Sequence, residues 1–114
     1  MPLAIKTRKA DGVTILDLKG KIVLGEETSS LREQVKQLLG ASETKMILNM
    51  GNVSYIDSAG VGTLVAAFTS AKAQGGQLKM ANLTKKFRET LQVTRLLTVF
   101  ETYDSEADAL ASFK

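Results

Sequence analysis

The segment of the sequence that stands out is Met50-Gly51-Asn52-Val53-Ser54-Tyr55-Ile56-Asp57-Ser58-Ala59-Gly60-Val61-Gly62. It follows a compact apolar run, Lys45 to Met50, which predicts a buried strand. A turn between such a strand and an amphipathic helix belongs to the carboxyl edge of an open α/β sheet, where binding sites tend to lie. The stretch is therefore the first candidate for a functional site. The helix that it leads into is predicted by apolar residues at helical spacing, namely Val61, Leu64, Val65 and Phe68.

The residues at the start of this predicted helix carry the chemistry. Asp57 or Ser58 would be the N-cap or lie in the first turn, beside free N–H groups and the positive end of the helix dipole. Gly60 and Gly62 have no side chain, which would let the helix lie close to the sheet or let another molecule approach the turn. Local chemistry leaves two interpretations open, a capped helix that packs tightly or a contact site.

The residues before this stretch predict a β-hairpin and one helix. Leu3 to Lys9 alternates in polarity, Asp11-Gly12 is typical of a two-residue hairpin turn, and a second β-rich run reaches about Gly20. A stripe of leucine and valine then predicts a helix that ends near Gly40. Its candidate N-caps are Ser30, Thr28 and Ser29.

The residues after the stretch predict two more strands and two more helices. The second helix should end at Gly75-Gly76, and a strand should follow over Leu78 to Ala81. Thr84 is the expected cap of a third helix, Val99 to Tyr103 the last strand, and Asp104 or Ser105 the start of a short final helix. A hairpin followed by alternating helices and strands predicts one α/β domain over residues 1–114, with a mixed sheet and about four helices.

The composition excludes several classes of function. The chain contains no Cys and no His, so thiolate metal sites, cysteine nucleophiles and hydrolases of the Ser-His-Asp or zinc type are impossible. It has no Gly-rich phosphate loop and no dinucleotide fingerprint, so we expect no cofactor. Its net charge of +3 is spread along the chain, which argues against binding of nucleic acid. The sequence shows no signal peptide and no membrane-length apolar run, so we expect a cytoplasmic protein without a membrane contact.

Val53 to Gly62 resembles the signature of the STAS domain family, which includes the anti-sigma factor antagonists and related domains of sulfate transporters. The family pattern is an Asp, a Ser, a small residue, Gly, an aliphatic residue and Gly. The resemblance extends over nearly the whole chain, including the predicted hairpin start, the central strand and the short closing helix. The residues that match the pattern in order are Asp57, Ser58, Ala59, Gly60, Val61 and Gly62.

The resemblance to the antagonist branch of this family implies a switch protein that is not an enzyme. In that branch the Ser after the motif Asp is phosphorylated by an anti-sigma factor that is itself an ATP-dependent Ser kinase. The unphosphorylated antagonist binds this kinase and frees the sigma factor, phosphorylation breaks the complex, and a serine phosphatase resets it. Carried onto this sequence, Ser58 would be the phosphoacceptor, and nothing demands more than a monomer. The match implies partner contacts at Asp57, Ser58, Ala59, Gly60 and Gly62.

The segment before the first helix departs from the family pattern. Several antagonists carry an acidic residue after the Gly and an Asp two positions later, whereas this chain has Gly20-Lys21-Ile22-Val23. Lys21 and Val23 change the charge and the polarity beside the expected contact surface, and we add both to the predicted contact residues. They predict that the usual kinase partner is replaced or recognised differently.

Two other classes of protein compete with the antagonist. One is a STAS subunit with a structural role in a stress-signalling assembly or a transporter complex, in which Ser58 is not a phosphorylation switch. The other is a phospho-receiver, a different fold of similar length with an Asp after its central strand, as Asp57 would be. A receiver needs an acidic pair after its first strand, and Asp11 and Asp17 do not form one.

A group of cations near the start of the predicted third helix has two interpretations. Lys85, Lys86 and Arg88 could contact an anion or an acidic partner, or they could form a solvated face. Positive charge at the positive end of a helix dipole costs some stability, so a compensating role is conceivable.

Overall fold

The computed structural model describes residues 3–93, 95 and 100–113 of the chain. Its five strands form one sheet in the order β1-β2-β3-β4-β5, in which β1 and β2 are antiparallel and all later neighbours are parallel. This mixed sheet with four helices confirms the predicted fold class. The elements are β1 Ala4–Ala10, β2 Val13–Ile22, α1 Glu26–Gly40, β3 Lys45–Ile56, α2 Ser58–Ala73, β4 Gln77–Ala81, α3 Lys85–Val93, β5 Glu101–Tyr103 and α4 Glu106–Ala111.

The sheet buries both of its faces, because alternate residues of β2 and β3 point to opposite sides. Leu16 and Leu48 belong to the larger core, which also takes residues from α1, α2 and α3. Ile15 and Ile47, their chain neighbours, belong to a smaller core with Ala109 of α4. Three helices therefore cover one face of the sheet and the short C-terminal helix covers the other.

The opening hairpin is confirmed. Asp11 and Gly12 have φ values of 53° and 78°, the left-handed conformation that a two-residue hairpin turn of this type requires. The structure corrects the predicted start of α1, which is at Glu26 with Gly25 as its N-cap and not at Ser30, Thr28 or Ser29. Gly25 has φ 124°, a conformation that side chains rarely adopt, so a backbone turn and not a hydroxyl cap begins this helix.

The central strand is longer than the sequence predicts. The turn-like residues after Met50 continue β3 to Ile56, because they pair in parallel with the end of β2 and because Val53 is buried in the core. Two irregularities in the β2–β3 register, after Asp17 and after Gly20, accompany this pairing. The pairing of β3 with β4 stops at Asn49, so the last seven residues of β3 extend beyond β4.

The predicted N-terminal caps of α3 and α4 are confirmed. The Thr84 hydroxyl accepts a hydrogen bond from the Phe87 backbone N–H at 3.2 Å and caps α3. Ser105, one of two candidates, caps α4 by accepting from the Asp108 N–H at 3.1 Å. The last strand is Glu101–Tyr103, shorter than predicted: Phe100 lies in a bend before it, and Val99 lies outside the described residues.

A chain of polar contacts crosses the sheet on the α4 side. Arg8 pairs with Asp17 at 2.7 Å and also with Glu106 of α4. Asn49 donates to Asp17 at 2.8 Å, and Asn82 donates to Asn49 at 2.9 Å. Hydrogen bonds from Arg8 and Asn49 hold the pKa of Asp17 below its usual value. The network links β1, β2 and β3 to the residue after β4 and ties α4 to the sheet.

Candidate functional site

Asp57 begins α2 and joins it to the loop between β2 and α1. Its backbone is extended, with φ −95° and ψ −177°, as an N-cap residue requires. One carboxylate oxygen, Oδ1, accepts from the Gly60 N–H at 2.8 Å, and the other, Oδ2, accepts from the Leu24 N–H at 3.0 Å. The Asp57 N–H in turn donates to the carbonyl of Ile22 at 3.3 Å. Asp57 is thus the predicted helix cap, and it also fixes the position of a loop that is distant in the sequence.

The two backbone donors favour the ionised form of the Asp57 carboxyl group. Hydrogen bonds from the Leu24 and Gly60 N–H groups hold its pKa below the usual value for an aspartic acid. The carboxylate is therefore charged at neutral pH and occupied on both oxygens. It acts in this structure as a fixed acceptor rather than as a proton donor.

Ser58 is the first residue of α2 and is exposed to solvent. The α2 first turn contains no acidic side chain, and the N–H groups of a first helical turn have no partners within the helix. Ala59, the next residue, is half-buried, and its carbonyl accepts from the Thr63 hydroxyl at 3.0 Å. An accessible hydroxyl at a positive helix end can receive an anionic group without displacing core residues.

Gly60 and Gly62 serve the site in different ways. A Cβ atom on Gly60 would overlap the carbonyl oxygen of Ile22 and would lie 2.9 Å from Cγ2 of Ile56. Gly60 is therefore the residue that lets α2 lie close to the ends of β2 and β3. A Cβ atom on Gly62 would meet nothing within 4 Å, and Gly62 is exposed. Packing thus explains Gly60, whereas Gly62 leaves the surface of α2 open beside Ser58.

The end of β2 and the loop after it are held at the start of α2 by the hydrogen bond from Leu24 to Asp57. Lys21, which pairs with Tyr55 of β3, is exposed, and Val23 is half-buried. Leu24 is 78% exposed, although its backbone N–H is held by Asp57. The sequence reasoning missed Leu24, because an apolar residue after a strand predicts burial. The exposed residues of this region are therefore Lys21, Leu24, Ser58 and Gly62.

The part of the chain that the structure describes contains no group of three acidic, His or Cys residues that could hold a metal ion. The described helices also include none with the length and apolar character needed to cross a bilayer. What the site presents is an exposed hydroxyl, that of Ser58, at the capped start of α2.

The mixed sheet that opens with a hairpin, and the capped α2 after its central strand, define the class of domain that the motif predicts. The sequence profile described as the STAS domain matches residues 4–109 of this chain. The chain therefore belongs to the STAS domain family, which confirms the resemblance and excludes the phospho-receiver alternative.

Known relatives share the length of the chain as well as the family. The chain is similar to the anti-sigma-B factor antagonist of Bacillus subtilis, with 31% identity over 75% of this chain and 72% of the relative. Its fold is similar to a crystal structure from Thermotoga maritima, with a TM-score of 0.87, 23% identity and coverage of 95% of this chain and 92% of that one. It is also similar to Bacillus SpoIIAA in its phosphorylated form, with a TM-score of 0.73, 18% identity and coverage of 97% and 100%. The unphosphorylated form of SpoIIAA gives a TM-score of 0.72, 17% identity and coverage of 96% of both chains.

Proposed function

We propose that this chain is an anti-sigma factor antagonist controlled by phosphorylation of Ser58. Its unphosphorylated form binds an anti-sigma factor that is an ATP-dependent Ser kinase, which frees the sigma factor. Phosphorylation of Ser58 releases the kinase, and a serine phosphatase resets the switch. The names of the curated relatives support the antagonist role, and the observation that carries the switch is the exposed Ser58 hydroxyl at the start of α2. The protein would act in the cytoplasm as a monomer of one domain.

The residues of the proposed contact face have two different roles. Ser58, Ala59 and Gly62 lie on the accessible start of α2, whereas Lys21 lies at the end of β2 and Val23 in the loop after it. Asp57 and Gly60 hold these two parts together, because their own contacts are with Leu24 and Ile22 of the same chain. The partner would thus touch the first group, while the second group gives the face its shape.

The proposed modification is a phosphoryl transfer from ATP to Ser58. The Ser58 Oγ atom attacks the γ-phosphorus, a new P–Oγ bond forms, and the bond between that phosphorus and the β,γ-bridging oxygen breaks. ADP leaves with the bond's electron pair, and a base on the kinase takes the hydroxyl proton. The phosphatase reverses the result by adding water to the phosphoserine and releasing inorganic phosphate.

The charge of a phosphate explains how it could release a partner without unfolding the domain. A phosphoserine adds about −1.5 to −2 charges at pH 7, and the start of α2 favours an anion by about 0.3–1 kcal/mol, which offsets part of the repulsion from Asp57. At a protein interface the same dianion must be desolvated, and each 1.4 kcal/mol lost is about a tenfold loss in affinity. The phosphorylated and unphosphorylated forms of SpoIIAA resemble this fold equally well, which supports a switch that acts at the surface.

Affinity capture from a lysate of the source cells, with ATP or ADP present, tests the proposal. The baits are the wild type, Ser58→Ala, Ser58→Glu and a matched control, Ser70→Glu, which places the same charge at an exposed serine near the other end of α2. We expect the wild type, Ser58→Ala and Ser70→Glu to recover a small ATP-binding Ser kinase. We expect Ser58→Glu to lose it while melting within a few degrees of the wild type.

Two results would overturn the proposal. Recovery of the same large assembly or transporter by all four baits would make this chain a structural STAS subunit, with Ser58 only a helix-start residue. A collapsed melting transition in Ser58→Glu would show that charge at this position acts on the fold and not on the interface. Incubation of the recovered kinase with ATP and each bait then shows whether Ser58 accepts the phosphate, since Ser58→Ala cannot.

A further inference from the structure

A cleft opens where β3 extends beyond β4. The pairing of β3 with β4 ends at Asn49, and α3 lies across from the last residues of β3 instead of another strand. The space between them is a cavity of about 230 Å³. Its described lining comprises Met50, Val53, Ser54, Tyr55, Ile56, Thr84, Lys86, Phe87 and Thr90.

The inner wall of the cleft is apolar. Met50 and Val53 on the β3 side and Phe87 on the α3 side are buried in the main core, and Ile56 packs against it. These side chains have fixed positions because the core holds them. The wall would therefore take an apolar group without rearrangement.

The rim of the cleft is polar and positively charged. Lys86 lines it, and its ammonium group lies 5.7 Å from the centroid of the exposed Tyr55 ring. The Thr84 hydroxyl accepts from the Phe87 N–H, and a hydroxyl that accepts one hydrogen bond can also donate one. The first turn of α3 contains no acidic side chain, and its leading N–H groups have no partners within the helix. The lining of the cleft thus includes a cation and a hydroxyl from the start of α3 beside its apolar wall.

The neighbouring cations do not share this position. Arg88 pairs with Asp104 at 3.0 Å, and Lys85 is exposed outside the cleft lining. The described lining residues include one cation, Lys86, and no carboxylate. The cation cluster therefore separates into a structural ion pair, a solvated lysine and one lysine placed at the cleft.

We propose that this cleft binds a small carboxylate with an apolar tail. The tail lies against Met50, Val53 and Phe87, and the carboxylate lies at the Lys86 ammonium and the first N–H groups of α3. The volume is below the roughly 300–1,000 Å³ typical of sites for drug-sized ligands, so the occupant is a small molecule such as a medium-chain fatty acid. The proposal does not depend on the proposed function, because no residue of the proposed contact face lines the cleft.

Titration of the ¹⁵N-labelled protein with octanoate, followed by NMR, tests this inference. We expect saturable shifts of the Val53, Ser54 and Thr90 amide signals, with a Kd in the range of about 0.1–1 mM. Octanol is the matched probe without the charge, and we expect it to bind at least threefold more weakly. No saturable shift up to about 5 mM octanoate would overturn the proposal, and so would equal binding of octanoate and octanol.

Three variants locate the two parts of the site. Lys86→Gln should weaken octanoate binding about three- to tenfold and leave octanol binding unchanged, since only the carboxylate meets that charge. Lys85→Gln removes the neighbouring charge and should leave both affinities as in the wild type. Thr90→Met puts a larger side chain into the cleft and should abolish binding of both probes, with a melting transition showing that the variant is folded. Equal losses of octanoate affinity in Lys85→Gln and Lys86→Gln would show attraction by surface charge only. That result would contradict a specific binding site at Lys86.

Discussion

The carboxylate of Asp57 accepts a hydrogen bond at 3.0 Å from the backbone N–H of Leu24, a residue 33 positions earlier in the chain. The same carboxylate caps α2 through Gly60, so one side chain sets both the start of the helix and the loop that faces it. The backbone of Leu24, whose side chain is 78% exposed, is thereby tied to the residue that precedes Ser58. The two halves of the proposed contact face depend on one acidic group.

The first prediction concerns Asp57→Asn. An asparagine can still accept from Gly60, but its NH₂ group cannot accept from the Leu24 N–H, so we expect the variant to be less stable than the wild type at neutral pH. The lowered pKa of Asp57 gives the native carboxylate a stabilising effect that is present above the unfolded value of about 3.9 and is lost as pH falls through the native value. The two unfolding free energies should therefore converge in acid.

Urea unfolding at a series of pH values between about 7 and 2 measures this convergence. Asp17→Asn is the comparison variant, because a hydrogen bond from Arg8 lowers the pKa of Asp17. The contribution of Asp17 to stability should therefore also be lost in acid. Each variant should remove its own part of the acid dependence. Parallel curves for the wild type and Asp57→Asn at all pH values would contradict the assignment.

The second prediction pairs two glycines of α2 that should respond with opposite signs. Gly60→Ala puts a methyl group onto the Ile22 carbonyl, and we expect a loss of about 1–3 kcal/mol or more. Gly62→Ala puts the same group into open space within a helix and should gain about 0.5–1 kcal/mol. Denaturant melts of the two variants measure both changes, and destabilisation by Gly62→Ala would show that position 62 is not open.

The third prediction separates stability from partner binding at Leu24. Leu24→Ser removes an exposed side chain, so we expect the free energy of unfolding to change by less than about 0.5 kcal/mol. Because a projecting apolar residue can anchor an interface, affinity for the captured kinase should fall about tenfold. Val93→Ser is the matched control, since Val93 is 83% exposed and belongs to α3, which contributes no residue to the proposed contact face. Calorimetric titration measures both affinities. If Leu24→Ser and Val93→Ser bound the kinase equally well, the role of Leu24 would be contradicted.

The fourth prediction concerns Lys79, which is buried on β4. Its ammonium group donates to the Ser112 hydroxyl at 2.7 Å and lies 4.3 Å from the centroid of the Phe113 ring. Lys79→Met keeps the length of the side chain but leaves Ser112 without this donor, so we expect a loss of about 1–3 kcal/mol. Hydrogen exchange of the α4 amides should quicken. Lys45→Met at an exposed lysine should leave that exchange as in the wild type, and an unchanged rate in Lys79→Met would show that α4 is held by other contacts.

Most of the fold could be predicted because its signals are local. Apolar periodicity placed the helices and strands, and Asp11-Gly12 placed the hairpin turn. The second half of β3 could not be predicted in this way, since Gly51 and Asn52 have the composition of a turn. Pairing with β2 keeps that segment extended, and a tertiary contact of this kind leaves no periodic signal. The start of α1 was missed for a similar reason, because its cap is a backbone conformation at Gly25.

The candidate site could likewise be predicted from the sequence only where its contacts are local. Asp57 as a candidate helix cap, and the glycines at 60 and 62 as residues that permit close packing or approach, follow from the sequence, because they act within a few residues of the α2 start. The hydrogen bond from Leu24 and the cleft beside Lys86 join residues that are distant in the chain. Both depend on how β2, β3 and α3 are placed relative to one another, so only the folded structure reveals them.

The open position at Gly62 also makes the molecule easy to label. The chain contains no cysteine, so Gly62→Cys would supply its single thiol, at the edge of the contact face and clear of the core. A fluorescent dye attached there would report the arrival and departure of a partner through a change in its emission. The timing of complex formation could then be followed in solution on a domain whose interior is untouched.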